Sequence, residues 1–148
     1  MLFRSAKSIS DPTQIAKVYV SKGAKAFKEG DIRTAYENFD MAVKHNPQDA
    51  KAHHYLAITA GRIPSMMRQA IQAIEVAVQR EPMNAQYLKD AGLLCKKAGL
   101  NAKAERYLDE ALKWDKENIE IQSALAELRQ GKGETKDYGK GFGLFRKS

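Results

Sequence analysis

The sequence is poor in several residue types, and each shortage excludes a class of protein. Cys95 is the one cysteine among 148 residues, so an internal disulfide cannot form and a disulfide-bonded secreted scaffold is excluded. No apolar run approaches the ~18 residues that a membrane-spanning helix requires. The first residues include charged side chains, but the apolar core of a signal peptide does not follow them. Together these shortages predict a soluble, cytoplasmic, single-domain protein.

Proline is also scarce, which favours uninterrupted helices. A helix is predicted from Pro12 to about Lys28, with Asp11 as its N-cap and Gly30 as its end. No strand-like alternation of polar and apolar residues competes with this pattern. The four prolines all fall at predicted helix boundaries: Pro12, Pro47, Pro64 and Pro82.

The formal net charge is +7, but it is unevenly placed along the chain. Residues 1–14 carry +1 and residues 130–148 carry +3, which leaves +3 for the residues between them. More than half of the charge therefore belongs to the two ends. A nucleic acid or an anionic lipid is permitted as a partner by this balance and is not demanded by it.

The strongest pattern is an internal repeat with a period of 34 or 35 residues. Each repeat is predicted to form two helices, whose close approach is allowed by columns of small residues. Those columns are Gly23, Ala57 and Gly92; Ala35, Ala70 and Ala104; and Ala42, Ala77 and Ala111. A further column holds the predicted N-caps Asp49, Asn84 and Asn118, and larger residues predicted to fill the core occupy another, namely Phe39, Ile74 and Leu108.

The second repeat contains one extra residue. It lies in the stretch from Gly61 to Ser65, which predicts a lengthened turn with Ser65 as the N-cap of the next helix. After Asn118, residues 119–130 predict a seventh helix that ends at Gly131. Its apolar face covers the open edge of the last repeat.

These columns resemble the tetratricopeptide repeat (TPR) family. The run Lys28-Glu-Gly-Asp-Ile-Arg-Thr-Ala35, followed by Phe39, Ala42 and Pro47, is similar to the family's pattern, and residues 85–118 are similar as well. The middle repeat departs most, because Ile63-Pro64 replaces the Gly-Asp turn. The resemblance implies an all-α fold, a right-handed superhelix of three antiparallel helix pairs with a seventh capping helix. It also implies a scaffold, adaptor or co-chaperone that binds a protein segment.

The resemblance divides the chain into an N-terminal arm, a repeat domain and a tail. Residues 1–10 are predicted to form a flexible arm, and residues 11–130 the TPR domain. Within the domain the repeats span about 16–49, 50–84 and 85–118, and the capping helix spans 119–130. Glycine-rich, basic residues 131–148 are predicted to form a flexible tail.

In the family, the first helix of each pair lines a concave groove, and this implies where a ligand binds. Seven positive side chains against Asp90, with apolar residues between them, predict a groove for an acidic peptide or helix with apolar anchors. The alternative is that the lysines only keep an exposed helix face soluble. The predicted groove residues are Lys17, Val20, Ala24, Phe27, Lys28, Lys51, His54, Tyr55, Ile58, Arg62, Lys89, Leu93, Lys96 and Lys97.

One subtype of the family binds the acidic C-terminal tails of chaperones through a carboxylate clamp. The clamp needs lysines, asparagines and an arginine at five positions of the groove. The corresponding residues here are Val20, Ala24, Tyr55, Gln86 and Asp90, none of which matches. A carboxylate-clamp chaperone partner is therefore predicted to be excluded.

The sequence contains no recognisable catalytic, cofactor-binding or metal-binding motif. His45 lies in a predicted loop, and His53 and His54 are neighbours that point in different directions on a helix. Cys95 has no histidine near it in sequence and is predicted to be a small buried residue. We therefore predict a protein that is not an enzyme and that requires neither a cofactor nor a metal.

The tail offers an alternative function. Its aromatic and basic side chains are suited to contacting RNA or an anionic membrane surface. A third reading, a secretion-type chaperone or co-chaperone that holds apolar segments, fits less well because the chain is basic. Self-association is left open. The tail contact residues are Phe142, Leu144, Phe145, Arg146 and Lys147.

Overall fold

The computed structural model describes residues 11–131, which form three antiparallel helix pairs and a final helix. The predicted N-terminal arm and most of the predicted tail, including its contact residues, lie outside the described residues. The first six helices are α1 (Pro12–Lys28), α2 (Ile32–His45), α3 (Ala50–Ala60), α4 (Met67–Arg80), α5 (Ala85–Lys97) and α6 (Asn101–Trp114). Helix α7 begins at residue 119 and continues to residue 131, and a short 3₁₀ turn spans Pro64–Met66.

The predicted caps begin the helices. The side chain of Asp49 accepts a hydrogen bond from the amide of Lys51 at 3.1 Å, which caps α3. Asn84 and Asn118 cap α5 and α7 in the same manner, each with an acceptor–amide distance of 3.1 Å. Such bonds satisfy amides that have no partner within the helix. The repeated Asp/Asn column is therefore a column of helix starts, as predicted.

A boundary prediction at the start of α4 is wrong. Ser65 does not cap α4, because it lies inside the 3₁₀ turn and the N-cap position falls on Met66, which makes no side-chain cap. Gly131, the predicted end of α7, is helical and is also the last residue that the structure describes. Among residues 11–131, positive φ angles occur only at Gly30 (83°) and Gly99 (79°), where they follow the ends of α1 and α5.

The columns of small residues allow the paired helices to pack closely. A Cβ added at Gly23 would lie 2.7 Å from the Phe39 ring, and one added at Gly92 would lie 2.5 Å from Leu108. Phe39 and Leu108 are almost completely buried. The predicted core column therefore fills the space within each pair, as expected from its spacing.

Helix α7 covers the last repeat. Its apolar face, formed by Ile121, Ala124, Leu125 and Leu128, is buried. Burial of this face removes apolar surface that the third pair would otherwise expose to water. The predicted capping role of the seventh helix is confirmed in the part of the chain that the structure describes.

Three smaller features complete the fold. Cys95 is buried, as predicted, and burial raises the pKa of its thiol. Met66 and Met67 are partly buried against the core. Within residues 11–131, the structure contains no helix long and apolar enough to cross a bilayer.

Candidate peptide-binding groove

The first helices of the three pairs, α1, α3 and α5, surround a cavity of about 380 Å³. Two further cavities adjoin it, one toward the C-terminal ends of α1 and α3 and one toward the N-terminal ends of α3 and α5. Neighbouring cavities share lining residues, so the three form one trough that follows the direction of α3. The central cavity is lined by Ala24, Phe27, Phe39, His54, Tyr55, Ile58, Thr59, Gln86 and Asp90.

The floor of the central cavity is aromatic. Phe39 of α2 lies beneath it, and the Tyr55 ring stacks on Phe39 with 5.3 Å between ring centroids. Ala24 of α1 is exposed and contributes only a methyl group to the wall. This small residue leaves open space beside Phe39 in the cavity.

A pair of polar side chains borders this floor. His54 Nε2 lies 2.6 Å from Asp90 Oδ2, and both side chains are 12% exposed. The contact gives the buried carboxylate a partner, without which its desolvation would be costly. The His54 ring also lies 4.7 Å from the Tyr87 ring, centroid to centroid. Asp90, predicted as the only acid of the groove, is thus paired with His54.

The trough continues past His54 toward the N-terminal ends of α3 and α5. Here Lys51 Nζ lies 5.7 Å from the centroid of the Tyr55 ring, a cation–π contact. Tyr87 forms part of the same wall. Burial raises the pKa of Tyr87, and the nearby carboxylates of Glu81 and Asp49 raise it further. The phenol is therefore neutral at physiological pH.

At the opposite end, the trough is cationic. A cavity of about 740 Å³ is lined by Ala24, Lys25, Phe27, Lys28 and Arg62. The Arg62 guanidinium lies 4.8 Å from the centroid of the Phe27 ring, so the cation of α3's end covers an aromatic residue of α1. Lys25 was not among the predicted groove residues. Its position one turn before the end of α1 was the only signal available in the sequence.

Three of the predicted groove lysines are engaged within the protein. Lys89 donates to Glu120 of α7 at 2.8 Å, and Lys96 donates to Glu127 of α7. The hydrogen bond to Glu120 raises the pKa of Lys89. Lys97 donates to the backbone carbonyl of Gly61 at 2.7 Å. The expected balance of seven cations against one acid therefore does not describe the folded groove, because α7 supplies two acids that the repeat pattern did not assign to it.

The remaining predicted residues, Lys17, Val20 and Leu93, are not among the residues that line the three cavities. Lys17 is exposed on α1, and Val20 and Leu93 are partly buried against the core. Phe39 was missed as a lining residue because the sequence assigned it to the core alone. Thr59 was missed as well. Thr59 is buried and donates a hydrogen bond from its hydroxyl to the carbonyl of Tyr55 at 2.7 Å.

No group of three or more His, Cys, Asp or Glu side chains within residues 11–131 is arranged to hold a metal ion. His53 Nε2 donates a hydrogen bond to the carbonyl oxygen of Pro47 at 2.9 Å. His45 stacks on Tyr19 with 5.6 Å between centroids. The three histidines thus take part in separate structural contacts.

Comparison with known proteins supports the fold. No protein-family model matches the chain. Among curated proteins, the DnaJ homolog subfamily C member 7 of Mus musculus is 34% identical over 67 residues, which cover 45% of this chain and 14% of that protein. The match therefore spans only a small part of the mouse protein's length.

Solved structures match over most of the chain. The first TPR domain of Spaghetti (RPAP3), bound to the HSP90 peptide SRMEEVD, has a TM-score of 0.77 and 19% identity, and the match covers 82% of this chain and 95% of that one. The TPR2B domain of yeast Sti1, in complex with pHsp70, has a TM-score of 0.72 and 20% identity, with coverage of 78% and 97%. The chain therefore has the TPR fold, and the all-α architecture predicted from the repeats is confirmed. The chaperone peptide in the first complex weighs, weakly, against the predicted exclusion of a carboxylate-clamp partner.

Proposed function

We propose that this chain is a non-enzymatic scaffold or adaptor that binds a protein segment, acidic and with apolar anchors, in the groove formed by α1, α3 and α5. The observation that carries the proposal is the continuous trough with an aromatic floor and cationic side chains at both ends. Structures with the same fold that are bound to peptides support it.

The two parts of the trough contribute differently to binding. Burial of an apolar side chain over Phe39 and Tyr55 supplies affinity, at roughly 25 cal/mol for each Å² removed from water. Lys28, Lys51 and Arg62 supply attraction for carboxylates, which increases the association rate and selects against basic segments. An acidic segment without an anchor, or an anchor without acids, is expected to bind more weakly than the combination.

The charge contribution is tested with Lys28→Glu combined with Lys51→Glu. We expect the affinity for a capped acidic–apolar peptide, measured by calorimetry, to fall by at least about tenfold, which is about 1.4 kcal/mol. Lys97 is left unchanged, because its bond to Gly61 links α5 to α3 and its loss would disturb the fold.

The matched control is Arg33→Glu combined with Arg68→Glu. It makes the same change in net charge at exposed positions in the first turns of α2 and α4. Glutamate is favourable near a helix N-terminus, so the control should fold normally. Equal loss of affinity in both double variants would show a general charge effect and would contradict a groove site.

The apolar contribution is tested by filling the cavity. Ala24→Leu places a larger side chain over the floor from an exposed helical position, so the helix should be retained and the space for the anchor lost. Peptide binding should weaken by about tenfold or more, with an unchanged unfolding temperature. Full binding by this variant would contradict insertion of an anchor at this place.

A peptide that ends in EEVD decides whether chaperone tails are among the ligands. Carboxylate clamps grip the free C-terminal carboxylate, so the free and the amidated peptide should differ strongly if a clamp operates. Equal affinity for the two forms would mean that any binding uses side-chain acids and the anchor alone.

A further inference from the structure

We infer that the ligand's acidic residues are clustered on one side of its apolar anchor, and that this cluster lies over the C-terminal ends of α1 and α3. The inference rests on the proposed function and narrows it. Acids of the protein itself already neutralise some of the groove's cations and not others. The groove is therefore not uniformly basic.

One group of cations lies at the C-terminal ends of α1 and α3. Lys25, Lys28 and Arg62 line one cavity, and no carboxylate is among the residues that line it in the described part of the chain. Arg62 lies over the Phe27 ring, which holds its charge beside the entrance to the central cavity. Three charges at one end of a trough with apolar walls concentrate positive potential there.

Two cations of α5 are neutralised by acids of α7. Lys89 and Lys96 are seven residues apart on α5, and their partners Glu120 and Glu127 are seven residues apart on α7. The two helices thus align two ion pairs in one register, two helical turns apart. An acidic ligand on this side would have to compete with both pairs.

The middle and the far end of the trough differ in charge from the end formed by α1 and α3. Asp90 lines the central cavity and contacts His54, so its carboxylate opposes a ligand acid on the α5 side. At the far end, Lys51 is the one lysine or arginine among the described residues that line the cavity, and its Nζ lies 5.7 Å from the centroid of the Tyr55 ring. Only the end formed by α1 and α3 therefore combines several cations with an adjoining apolar cavity.

The size of the trough limits the ligand. Helix α3, which the trough follows, has 11 residues and is therefore about 16 Å long at about 1.5 Å per residue. An extended segment spans that distance with about five residues, and a helical segment with about three turns. One or two anchors beside a short run of acids fill this length.

Two synthetic peptides of identical composition test the inference with the full-length protein. In the block peptide, four glutamates precede a leucine–phenylalanine anchor. In the interleaved peptide, the leucine and the phenylalanine are placed apart among the same four glutamates. Both peptides are acetylated and amidated. We expect the block peptide to bind at least about fivefold more tightly, and its advantage to shrink as salt rises from about 0.05 M to about 0.5 M. Equal affinities at low salt would overturn the inference.

Two double variants locate the acidic block. Lys28→Glu with Arg62→Glu should abolish the preference for the block peptide, whereas Lys89→Gln with Lys96→Gln should leave both affinities within about twofold. The neutral pair Lys28→Gln with Arg62→Gln gives a smaller loss in the same direction and remains informative if charge reversal impairs folding. Equal losses at the two ends would overturn the inference, and no saturable binding of either peptide by the unchanged protein would instead contradict the proposed function.

Removal of the acids of α7 is the converse experiment. Glu120→Gln with Glu127→Gln frees Lys89 and Lys96, so the interleaved peptide should gain affinity and approach the block peptide. An unchanged preference for the block peptide in this variant would show that α7 does not set the polarity of the groove.

Discussion

At the scale of single residues, a glycine and a glutamate inside the helices control how neighbouring helices contact each other. Gly92 lies in α5 opposite Leu108, and an added Cβ would also lie 3.2 Å from the carbonyl oxygen of Ala104. That oxygen belongs to a helix backbone and cannot move aside easily. The glycine therefore fixes how closely α5 and α6 approach.

Gly92→Ala is expected to destabilise the protein, although alanine has the better helix propensity. Crowding against Leu108 costs about 1–3 kcal/mol, and the propensity gain returns about 1 kcal/mol. A lower unfolding temperature in thermal denaturation would confirm the prediction. The control is Gly131→Ala, where a Cβ meets open space, and a stability loss as large as that of Gly92→Ala would contradict the packing argument.

Glu75 connects α4 to α6 through two hydrogen bonds. Tyr107 donates to Glu75 Oε2 at 2.7 Å, and Lys103 donates to the same oxygen at 2.9 Å. Burial alone would raise the pKa of Glu75, but the two donors outweigh burial and hold this pKa below its ordinary value of 4.5. The ionised form is therefore favoured by folding, and its stabilising effect is present above pH 4.5 and is lost as the pH falls through the lowered pKa.

Glu75→Gln should consequently reduce stability at neutral pH by about 1 kcal/mol, because the site is partly exposed and solvent screens it. The difference between the variant and the unchanged protein should shrink in urea denaturation as the pH is lowered from about 7 to about 3. A difference that stays constant over this range would show that Glu75 contributes by packing and not by its charge.

At the scale of elements, the molecule contains an internal comparison of helix starts. Asp31 caps α2 by accepting from the Thr34 amide at 3.1 Å, and this hydrogen bonding lowers the pKa of Asp31. Leu100 occupies the same place in the third repeat, before α6, and makes no side-chain cap. Both follow a glycine with positive φ, so the two turns have the same form.

Leu100→Asp should therefore stabilise the protein by about 1 kcal/mol. Leu100 is 46% exposed, so little apolar burial is lost by the change. Thermal denaturation near neutral pH measures the gain. The reciprocal Asp31→Leu should lower the unfolding temperature, and destabilisation by Leu100→Asp would contradict the equivalence of the two turns.

The elements also show how far the sequence alone reaches. The repeat spacing predicted the helices, their small-residue contacts and the caps Asp49, Asn84 and Asn118, because these depend on neighbours in the chain and on a regular period. It failed at Ser65, because a 3₁₀ turn absorbs the extra residue of the second repeat and moves the helix start past it.

The charges of the groove were harder to predict than its position. Lys89 and Glu120 are 31 residues apart, and His54 and Asp90 are 36 apart, so their pairing depends on how successive helices stack. Composition counts such residues as independent charges. Once the stacking is known, Lys89 and Lys96 are seen to pair with acids of α7, whereas the cavity lined by Lys25, Lys28 and Arg62 has no carboxylate among its described lining residues.

At the scale of the whole molecule, the net charge of +7 is a poor guide to the groove. Residues 11–131 carry a net charge of only +2. The proposed binding surface depends on the local placement of Lys25, Lys28 and Arg62, whose effect extends about one Debye length, ~8 Å at physiological salt. The proposed surface therefore does not depend on the charge of the terminal residues.

Replacement of Phe142, Leu144 and Phe145 by serine in the full-length chain should therefore leave peptide affinity unchanged within about twofold. Calorimetry with the acidic–apolar peptide tests this directly. A large loss of affinity would show that the tail contributes to the peptide site, whereas a loss of retention on RNA or anionic vesicles alone would assign the tail a separate role.

Helix α7 also bears on how such a domain grows by duplication. A second copy of residues 85–118, inserted between Asn118 and Ile119, would keep α7 on the outermost helix pair. By the repeat spacing, the original Lys89 and Lys96 would then face a glutamine and a leucine, the counterparts of Gln86 and Leu93, in place of Glu120 and Glu127. One duplication would thus lengthen the groove and release two cations into its middle, so that the number of repeats alone alters which ligands a descendant of this chain prefers.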